Sequence, residues 1–107
     1  MAIPDAGVKI VVMVDDFGVH VDRQGGAITV RLSGELDMAT APTLERALEG
    51  VTGSIRFDCR DLSFVDSSGL AVFARVERAG GARLYSLQPN VRRVLEVAGL
   101  GDLIADM

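Results

Sequence analysis

Cysteine, histidine and aromatic residues are scarce in this chain. There is one cysteine, Cys59, one histidine, His20, and no tryptophan, and aromatic residues make up 5% of the sequence. A single cysteine excludes an intramolecular disulfide and is typical of a reducing compartment. So few sulfur and imidazole groups also exclude a structural zinc site. We therefore expect a cytoplasmic protein with neither a metal nor a cofactor.

Long apolar runs and excess positive charge are missing too. No apolar stretch approaches the roughly 20 residues that span a membrane, and the start of the chain lacks the basic region of a signal peptide. The formal net charge is −4 at pH 7. An acidic chain does not offer the basic surface that nucleic acids require. We expect no membrane insertion and no direct contact with nucleic acid.

The signatures of common enzyme classes are also absent. No Walker-type phosphate loop is present, which excludes a P-loop enzyme. A serine hydrolase needs Gly-x-Ser-x-Gly and a general base. Here the run is Val65-Asp66-Ser67-Ser68-Gly69, and the only histidine lies in an early strand. Glu35 and Asp37 share a loop, but they have no identifiable partners for binding a metal. We expect a protein that is not an enzyme and has no catalytic residues.

Hydrophobic residues are plentiful and regularly spaced. They make up 49% of 107 residues, enough for one domain with a real core. Alternation in 17–22 and 28–33, around the turn Gln24-Gly25-Gly26, predicts a β-hairpin. Further strands are expected at 55–59, which should pair parallel, and at 82–87. Three helices should begin near Thr40, Ser67 and Pro89. The pattern predicts an α/β fold, a mixed β-sheet flanked by helices in a single compact domain.

Residues 1–16 stand apart as an N-terminal extension of the domain at 17–107. Within them Lys9-Ile10-Val11-Val12-Met13-Val14 is a short apolar, β-branched run that ends at Asp15-Asp16. It suits either an extra strand or a mobile arm. Because mostly apolar residues are poorly placed in water, we expect the run to pack on the sheet or on a second copy of the chain. A homodimer through this run is therefore left open.

The stretch from Asp61 to Leu70 is the centre of the sequence. It follows a strand and leads into a helix, so Asp66, Ser67 and Ser68 lie at a strand-to-helix junction. Unpaired backbone N–H groups and the positive end of the helix dipole suit an anion there, and a hydroxyl at that point can carry a phosphate. The alternative is that the three residues only cap the helix, since Ser and Asp are preferred capping residues.

The helix that follows is apolar all round in its first turns. Leu70, Val72, Phe73 and Val76 are expected to divide between the core and a partner surface, with at least one of them largely exposed. Gly69 in the first turn costs about 1 kcal/mol of helix stability relative to Ala. Its bare backbone would let another surface approach closely.

Two segments resemble those of the bacterial anti-sigma factor antagonists, which are STAS domains. They are Arg31-Leu32-Ser33-Gly34-Glu35-Leu36-Asp37 and Asp61-Leu62-Ser63-Phe64-Val65-Asp66-Ser67-Ser68-Gly69-Leu70, with Thr40 to Leu44 between them. The resemblance covers about residues 17 to 104. It implies a small sheet flanked by helices and a regulator of transcription.

The resemblance also implies a partner switch. The unphosphorylated protein would bind an anti-sigma factor, a serine kinase of the histidine-kinase-like ATPase type, and so release a sigma factor. The kinase would phosphorylate the first Ser after the Asp of the motif, here Ser67 after Asp66, and a phosphatase would reset it. The residues expected to contact the partner are Asp37, Asp66, Ser67, Ser68, Gly69, Leu70 and Phe73.

STAS domains also occur as tails of anion transporters and as small cytoplasmic subunits of lipid-transport ABC systems. The second of these is the alternative function, a constitutive subunit with no phosphate cycle. The intact Asp66-Ser67 pair favours the switch, because a purely structural subunit does not need a phosphoacceptor there.

Overall fold

The alternating segments of the sequence form a five-stranded sheet. In a computed structural model, which describes residues 6–105, the strands are β1 (Ala6–Val14), β2 (Phe17–Gln24), β3 (Ala27–Leu36), β4 (Ile55–Val65) and β5 (Ala82–Tyr85). They lie side by side in chain order. β1, β2 and β3 are antiparallel neighbours, whereas β3, β4 and β5 run parallel. The hairpin and the parallel pairing predicted from the sequence are both confirmed.

Three α-helices connect or follow the parallel strands. They are α1 (Ala41–Ala47), α2 (Ser67–Ala79) and α3 (Pro89–Val97), and a short 3-10 helix follows at Gly101–Leu103. The predicted helix starts near Thr40, Ser67 and Pro89 are confirmed, as is the mixed α/β fold. After the 3-10 helix the chain returns to the sheet through a single parallel bridge from Ile104 to Leu84. Within residues 6–105, no helix has the length and apolar character needed to cross a membrane.

The core lies between one face of the sheet and the helices. α1 packs on β1, β2 and α2, while α2 also packs on β4 and β5, and α3 packs on β4. The fully buried large side chains are Phe17, Val19, Val30, Leu32, Leu36, Leu44, Phe57, Leu62, Phe73, Leu84, Val91 and Leu95. The other face carries polar residues such as Arg31 and Asp58, which are paired in register across β3 and β4.

The apolar run of the extension is a strand and not an arm. Residues 9–14 belong to β1, which is antiparallel to β2 at one edge of the sheet. Each residue of the run is paired in register with β2, from Lys9 opposite Asp22 to Val14 opposite Phe17. Residues 6–14 of the extension are therefore continuous with the sheet of the domain, as the extra-strand alternative predicted.

β4 is longer than the sequence indicated. It continues beyond Cys59 to Val65, and its pairing with β3 shifts register twice, near Ser33 and near Glu35. After the first shift the buried residues, Leu62 and Val65, are three positions apart. Such irregularities change which residues face the core, so the second half of this strand shows no alternation that a sequence pattern could reveal.

Gly69 brings the start of α2 onto the ends of β3 and β4. A Cβ at this position would lie 2.6 Å from Cγ2 of Val65 and 2.7 Å from Cγ of Leu36. Both of those side chains are buried. The close approach expected at this glycine therefore exists, but the neighbouring surface is the protein's own core.

We predict that Gly69→Ala lowers the free energy of unfolding by up to about 2 kcal/mol. Overpacking a filled core costs about 1–3 kcal/mol, and the better helix propensity of Ala returns about 1 kcal/mol. Ser68→Ala is the matched control, because the Ser68 side chain takes no part in the cap; it should change stability by no more than about 0.5 kcal/mol. Urea unfolding of both variants measures the difference. A Gly69→Ala protein more stable than the original would contradict this packing.

The single thiol gives a second prediction. Burial, with a smaller contribution from Asp58, raises the pKa of Cys59 from its usual 9.0 to about 12. The folded protein should therefore resist thiol-labelling reagents that react readily after unfolding. Between pH 9.0 and 12 the unfolded chain releases this proton before the folded one, so stability falls as pH rises. Urea titrations across that interval should show a smaller fall for Cys59→Ala than for the original protein; equal falls would count against the prediction.

Candidate functional site

The two segments singled out in the sequence meet at the carboxyl ends of β3 and β4. Leu36 and Val65 are paired in register, and the N–H of Asp66 donates to the carbonyl oxygen of Leu36 at 3.1 Å. The hydroxyl of Ser63 also donates to the carbonyl of Gly34 at 3.1 Å. Parallel pairing thus holds the loop after β3 against the start of α2.

Asp66 is the N-cap of α2. Its Oδ1 accepts from the N–H of Ser68 at 2.8 Å and from the N–H of Gly69 at 3.2 Å. The capping interpretation of this junction is therefore correct for Asp66. It also changes the expected chemistry, because the capped N–H groups of the first turn are already hydrogen-bonded to a carboxylate.

The second carboxylate oxygen of Asp66 reaches the loop after β3. Its Oδ2 accepts from the N–H of Met38 at 3.2 Å. One side chain therefore binds the helix start with one oxygen and the neighbouring loop with the other. The loop and the helix start should behave as one surface, since displacing either of them breaks a hydrogen bond to the same charged group.

Asp37 shapes this loop from within. Its Oδ1 accepts from the N–H of Ala39 at 3.0 Å and from that of Thr40 at 3.1 Å. Thr40 occupies the N-cap position of α1, but its hydroxyl makes no cap bond. The hydroxyl instead donates to the carbonyl of Glu35 at 2.8 Å and accepts from the N–H of Asp37 at 2.9 Å. The hydroxyl of Thr40 therefore stabilises the loop and does not cap the helix.

Ser67 and Ser68 differ in their surroundings. Ser67 is the exposed first residue of α2, and none of the residues in 6–105 hydrogen-bonds its hydroxyl. Ser68 is half-buried, and its N–H is held by Asp66. Of the two hydroxyls, that of Ser67 is the more open to another protein.

The apolar helix face does not reach solvent as predicted. Val72 and Phe73 are buried, and Leu70 and Val76 are half-buried, so none of the four is largely exposed. Phe73 was expected to contact a partner. It is 0% exposed, and its ring stands edge-on to that of Phe57 at 5.1 Å between centroids. Phe73 is part of the core and is not available to a partner, because α2 is covered by α1 as well as by the sheet.

Two apolar residues beside the site are exposed instead. Met38, in the loop bound by Asp66, is 77% exposed, and Phe64, near the end of β4, is 44% exposed. Neither side chain was among the contact residues expected from the sequence. Phe64 lies in the half of β4 where the alternation is lost, and Met38 lies in a loop, where no periodicity applies.

Acidic groups surround the loop. A cavity of about 440 Å³ is lined by Val14, Asp15, Asp16, Phe17, Gly34, Glu35, Asp37, Ala39, Thr40 and Ser63. This acidic cavity has four carboxylates and no basic side chain in its lining. The turn between β1 and β2 reaches it because Gly34, at φ 88°, has no Cβ to overlap the carbonyl oxygen of Asp16. Within residues 6–105, no group of three or more His, Cys, Asp or Glu side chains is arranged to hold a metal ion.

The comparisons with known proteins agree with this geometry. A family model described as "Mlab, STAS domain" matches residues 19–105. The anti-sigma-B factor antagonist of Bacillus subtilis (strain 168) is 31% identical over 97 residues, which cover 83% of this chain and 89% of that protein.

Solved structures of the anti-sigma factor antagonist SpoIIAA are similar in fold. Its unphosphorylated form superposes with a TM-score of 0.66 and 26% identity, covering 94% of this chain and 88% of that one. The phosphorylated form from Bacillus gives a TM-score of 0.60 and 25% identity, covering 94% and 91%. By its match to the family model and its identity to a relative over most of its length, the chain belongs to the STAS domain family of anti-sigma factor antagonists.

Proposed function

We propose that this protein is the switchable antagonist of an anti-sigma factor that is also a serine kinase. In its unphosphorylated form it binds the kinase through the surface around Met38, Asp66 and Ser67, and a sigma factor is released. Phosphorylation of Ser67 ends the binding, and a phosphatase restores it. The observation that carries the proposal is the exposed hydroxyl of Ser67 beside a loop and helix start that Asp66 holds together.

A phosphate on Ser67 is compatible with the fold. The side chain lies in solvent at the first position of α2, where the helix field favours a negative charge by about 0.3–1 kcal/mol. Asp66 already occupies the N–H groups of Ser68 and Gly69. The phosphate therefore remains on the surface and does not replace the cap, so the helix start need not rearrange.

The same phosphate is incompatible with a close interface. It adds a charge of about −1.5 to −2 at neutral pH next to Asp66, which is hydrogen-bonded to the loop that carries Asp37. Burying such a charge without a matching cation costs several kcal/mol. A cost of about 3 kcal/mol already weakens binding more than a hundredfold, at about 1.4 kcal/mol per factor of ten.

The acidic cavity also indicates the charge of the partner. Asp37 belongs both to this cavity and to the loop that Asp66 binds. A partner that covers the loop therefore meets several carboxylates at once. Complementary charges speed association and are screened by salt. The contacting surface of the kinase is accordingly basic, and its association with this protein slows as salt is raised.

The alternative function is a constitutive STAS subunit of a lipid-transport ABC system. Such a subunit needs neither a kinase nor an accessible hydroxyl at the start of α2. Affinity capture from the native cell separates the two functions, because the switch requires an ATPase-like kinase as partner and the subunit requires a transporter ATPase. The switch also places the protein in the cytoplasm, with its kinase.

The phosphorylation site is the first prediction from this proposal. Mass spectrometry of the protein from native cells should find phosphate on Ser67 and none on Ser68, because Ser67 is exposed whereas Ser68 is half-buried. Ser67→Ala should bind the captured kinase permanently. Ser67→Asp should bind it at least about a hundredfold more weakly while keeping its melting temperature.

Ser68→Ala is the matched control and should retain both the phosphorylation and the binding of the original protein. Phosphate found on Ser68, or its absence under every growth condition, would refute the switch. In that case, capture of a transporter ATPase would establish the alternative function.

The second prediction concerns the exposed apolar residue of the loop. Met38→Gln should leave the free energy of unfolding within about 0.5 kcal/mol of the original, because the side chain is 77% exposed. It should weaken binding to the kinase by about tenfold, because an apolar contact is lost and no charge is added that a basic surface would attract. Val97→Gln, at an 80% exposed position on α3, is the control and should bind normally. Equal binding by both variants in calorimetry would show that the partner does not cover this loop.

A further inference from the structure

The outer edge of β1 is open. β1 is the first strand of the sheet, and among residues 6–105 it pairs only with β2. An unpaired strand edge presents a row of backbone N–H and C=O groups to any other strand. Natural proteins protect such edges with charged residues, prolines or bulges. Here residues 10–14 contain no charge and no proline, and the only irregularity lies between Ala6 and Val8.

Both faces of this strand are apolar. Opposite residues of an antiparallel pair share a face, so Ile10 and Val14 lie on the side of the buried Val21 and Phe17, while Val11 and Met13 lie on the other side with His20 and Gly18. The exposed fractions are 43% for Ile10, 57% for Val11, 57% for Met13 and 38% for Val14. The apolar surface therefore wraps around the open edge, where a second strand would cover it.

We propose that β1 is a homodimer interface, in which two copies pair their β1 strands antiparallel about a twofold axis through Val12. In this register Ile10 lies opposite Val14 of the second copy, and Val11 lies opposite Met13. Each apolar side chain then meets an apolar one. Lys9 of each copy lies opposite Asp15 of the other, so the interface is closed at both ends by opposite charges.

Other registers do not give this match. A shift by one residue turns one copy over, so that the core-side residues of one β1 lie opposite the outer-face residues of the other. A shift by two residues keeps the faces but sets Lys9 opposite Met13, or sets Asp15 opposite Val11, according to its direction. Asp15 lies in the turn after β1 at φ 53°, and the long, flexible side chain of Lys9 can reach it. Charge and apolar pattern therefore select the same register.

The dimer joins the two sheets edge to edge, with the helices of both copies on the same face. It also touches the functional surface. Asp15 lines the acidic cavity, so Lys9 of the second copy comes to its rim. The proposal does not depend on the partner switch, because it follows from the β1 edge alone.

Charge reversal in a mixing experiment tests the interface. In a Lys9→Asp homodimer both end pairs become acid against acid, and in an Asp15→Lys homodimer both become base against base. Each variant should dimerise about tenfold more weakly than the original protein, since both end pairs change from attraction to repulsion. An equimolar mixture of the two variants should regain dimers, because both end pairs of the mixed dimer are again of opposite charge.

The full-length chain should be used, with its mass followed by sedimentation velocity over a concentration series. Arg93→Asp, a charge reversal at an exposed position of α3, is the control and should dimerise as the original does. Thermal unfolding of each variant checks the monomer, because Lys9 also faces Asp22 within the sheet. Variants that had only lost monomer stability would not regain dimers when they are mixed with each other. An original protein that stays monomeric up to its solubility limit, or a mixture without recovery, would overturn the proposal.

Discussion

The carboxylate of Asp66 holds the loop after β3 and the start of α2 together. One oxygen accepts two N–H groups from the first turn of α2, and the other accepts the N–H of Met38 from the loop after β3. Hydrogen bonds to charged groups are worth about 1.5–3 kcal/mol each when they are well shielded, and an N-cap alone contributes about 1 kcal/mol. The position of Ser67 depends on this cap, because Ser67 follows Asp66 directly in the chain.

Two glycines allow the backbone to come this close. Gly34 has a positive φ and lies against the carbonyl of Asp16, which brings the turn between β1 and β2 next to the site. Gly69 lies against Leu36 and Val65, which seats α2 on the ends of the parallel strands. A side chain at either position would separate elements that now share one surface. The backbone of the site is therefore closely packed, and Ser67 lies exposed at its edge.

The charged side chains that line the cavity beside this surface are all acidic. Carboxylates from the β1–β2 turn, the end of β3 and the following loop line the acidic cavity, and no basic side chain lines it. In the proposed switch, a phosphate on Ser67 would add to this negative charge, so a single modification would have a large effect on a partner that must approach closely. β1 leads directly into the turn between β1 and β2. A second copy paired with the open edge of β1 would bring its Lys9 to the rim of the acidic cavity.

The sequence by itself determined the elements and their order. Several local properties of the sequence appear in the fold. They are the alternation in β2 and β3, the helix starts at Ser67 and Pro89, and the apolar character of the Lys9–Val14 run. The Asp-Ser-Ser-Gly-Leu motif also predicted a strand-to-helix junction, and together with the Gly-Glu-Leu-Asp segment it carried the resemblance that predicted a STAS fold. Such inferences succeed because hydrophobic periodicity and capping involve residues close in the chain.

Only the tertiary structure decided which residues are available to a partner. The first turns of α2 are apolar all round because the helix packs against α1 as well as the sheet, so Phe73 is buried and the exposed apolar residues beside the site are Met38 and Phe64. The register shifts between β3 and β4 and the approach of Asp15 and Asp16 to Asp37 involve segments far apart in sequence. A local pattern contains no information on such contacts, because they depend on how the strands pair and how closely the glycines let them meet.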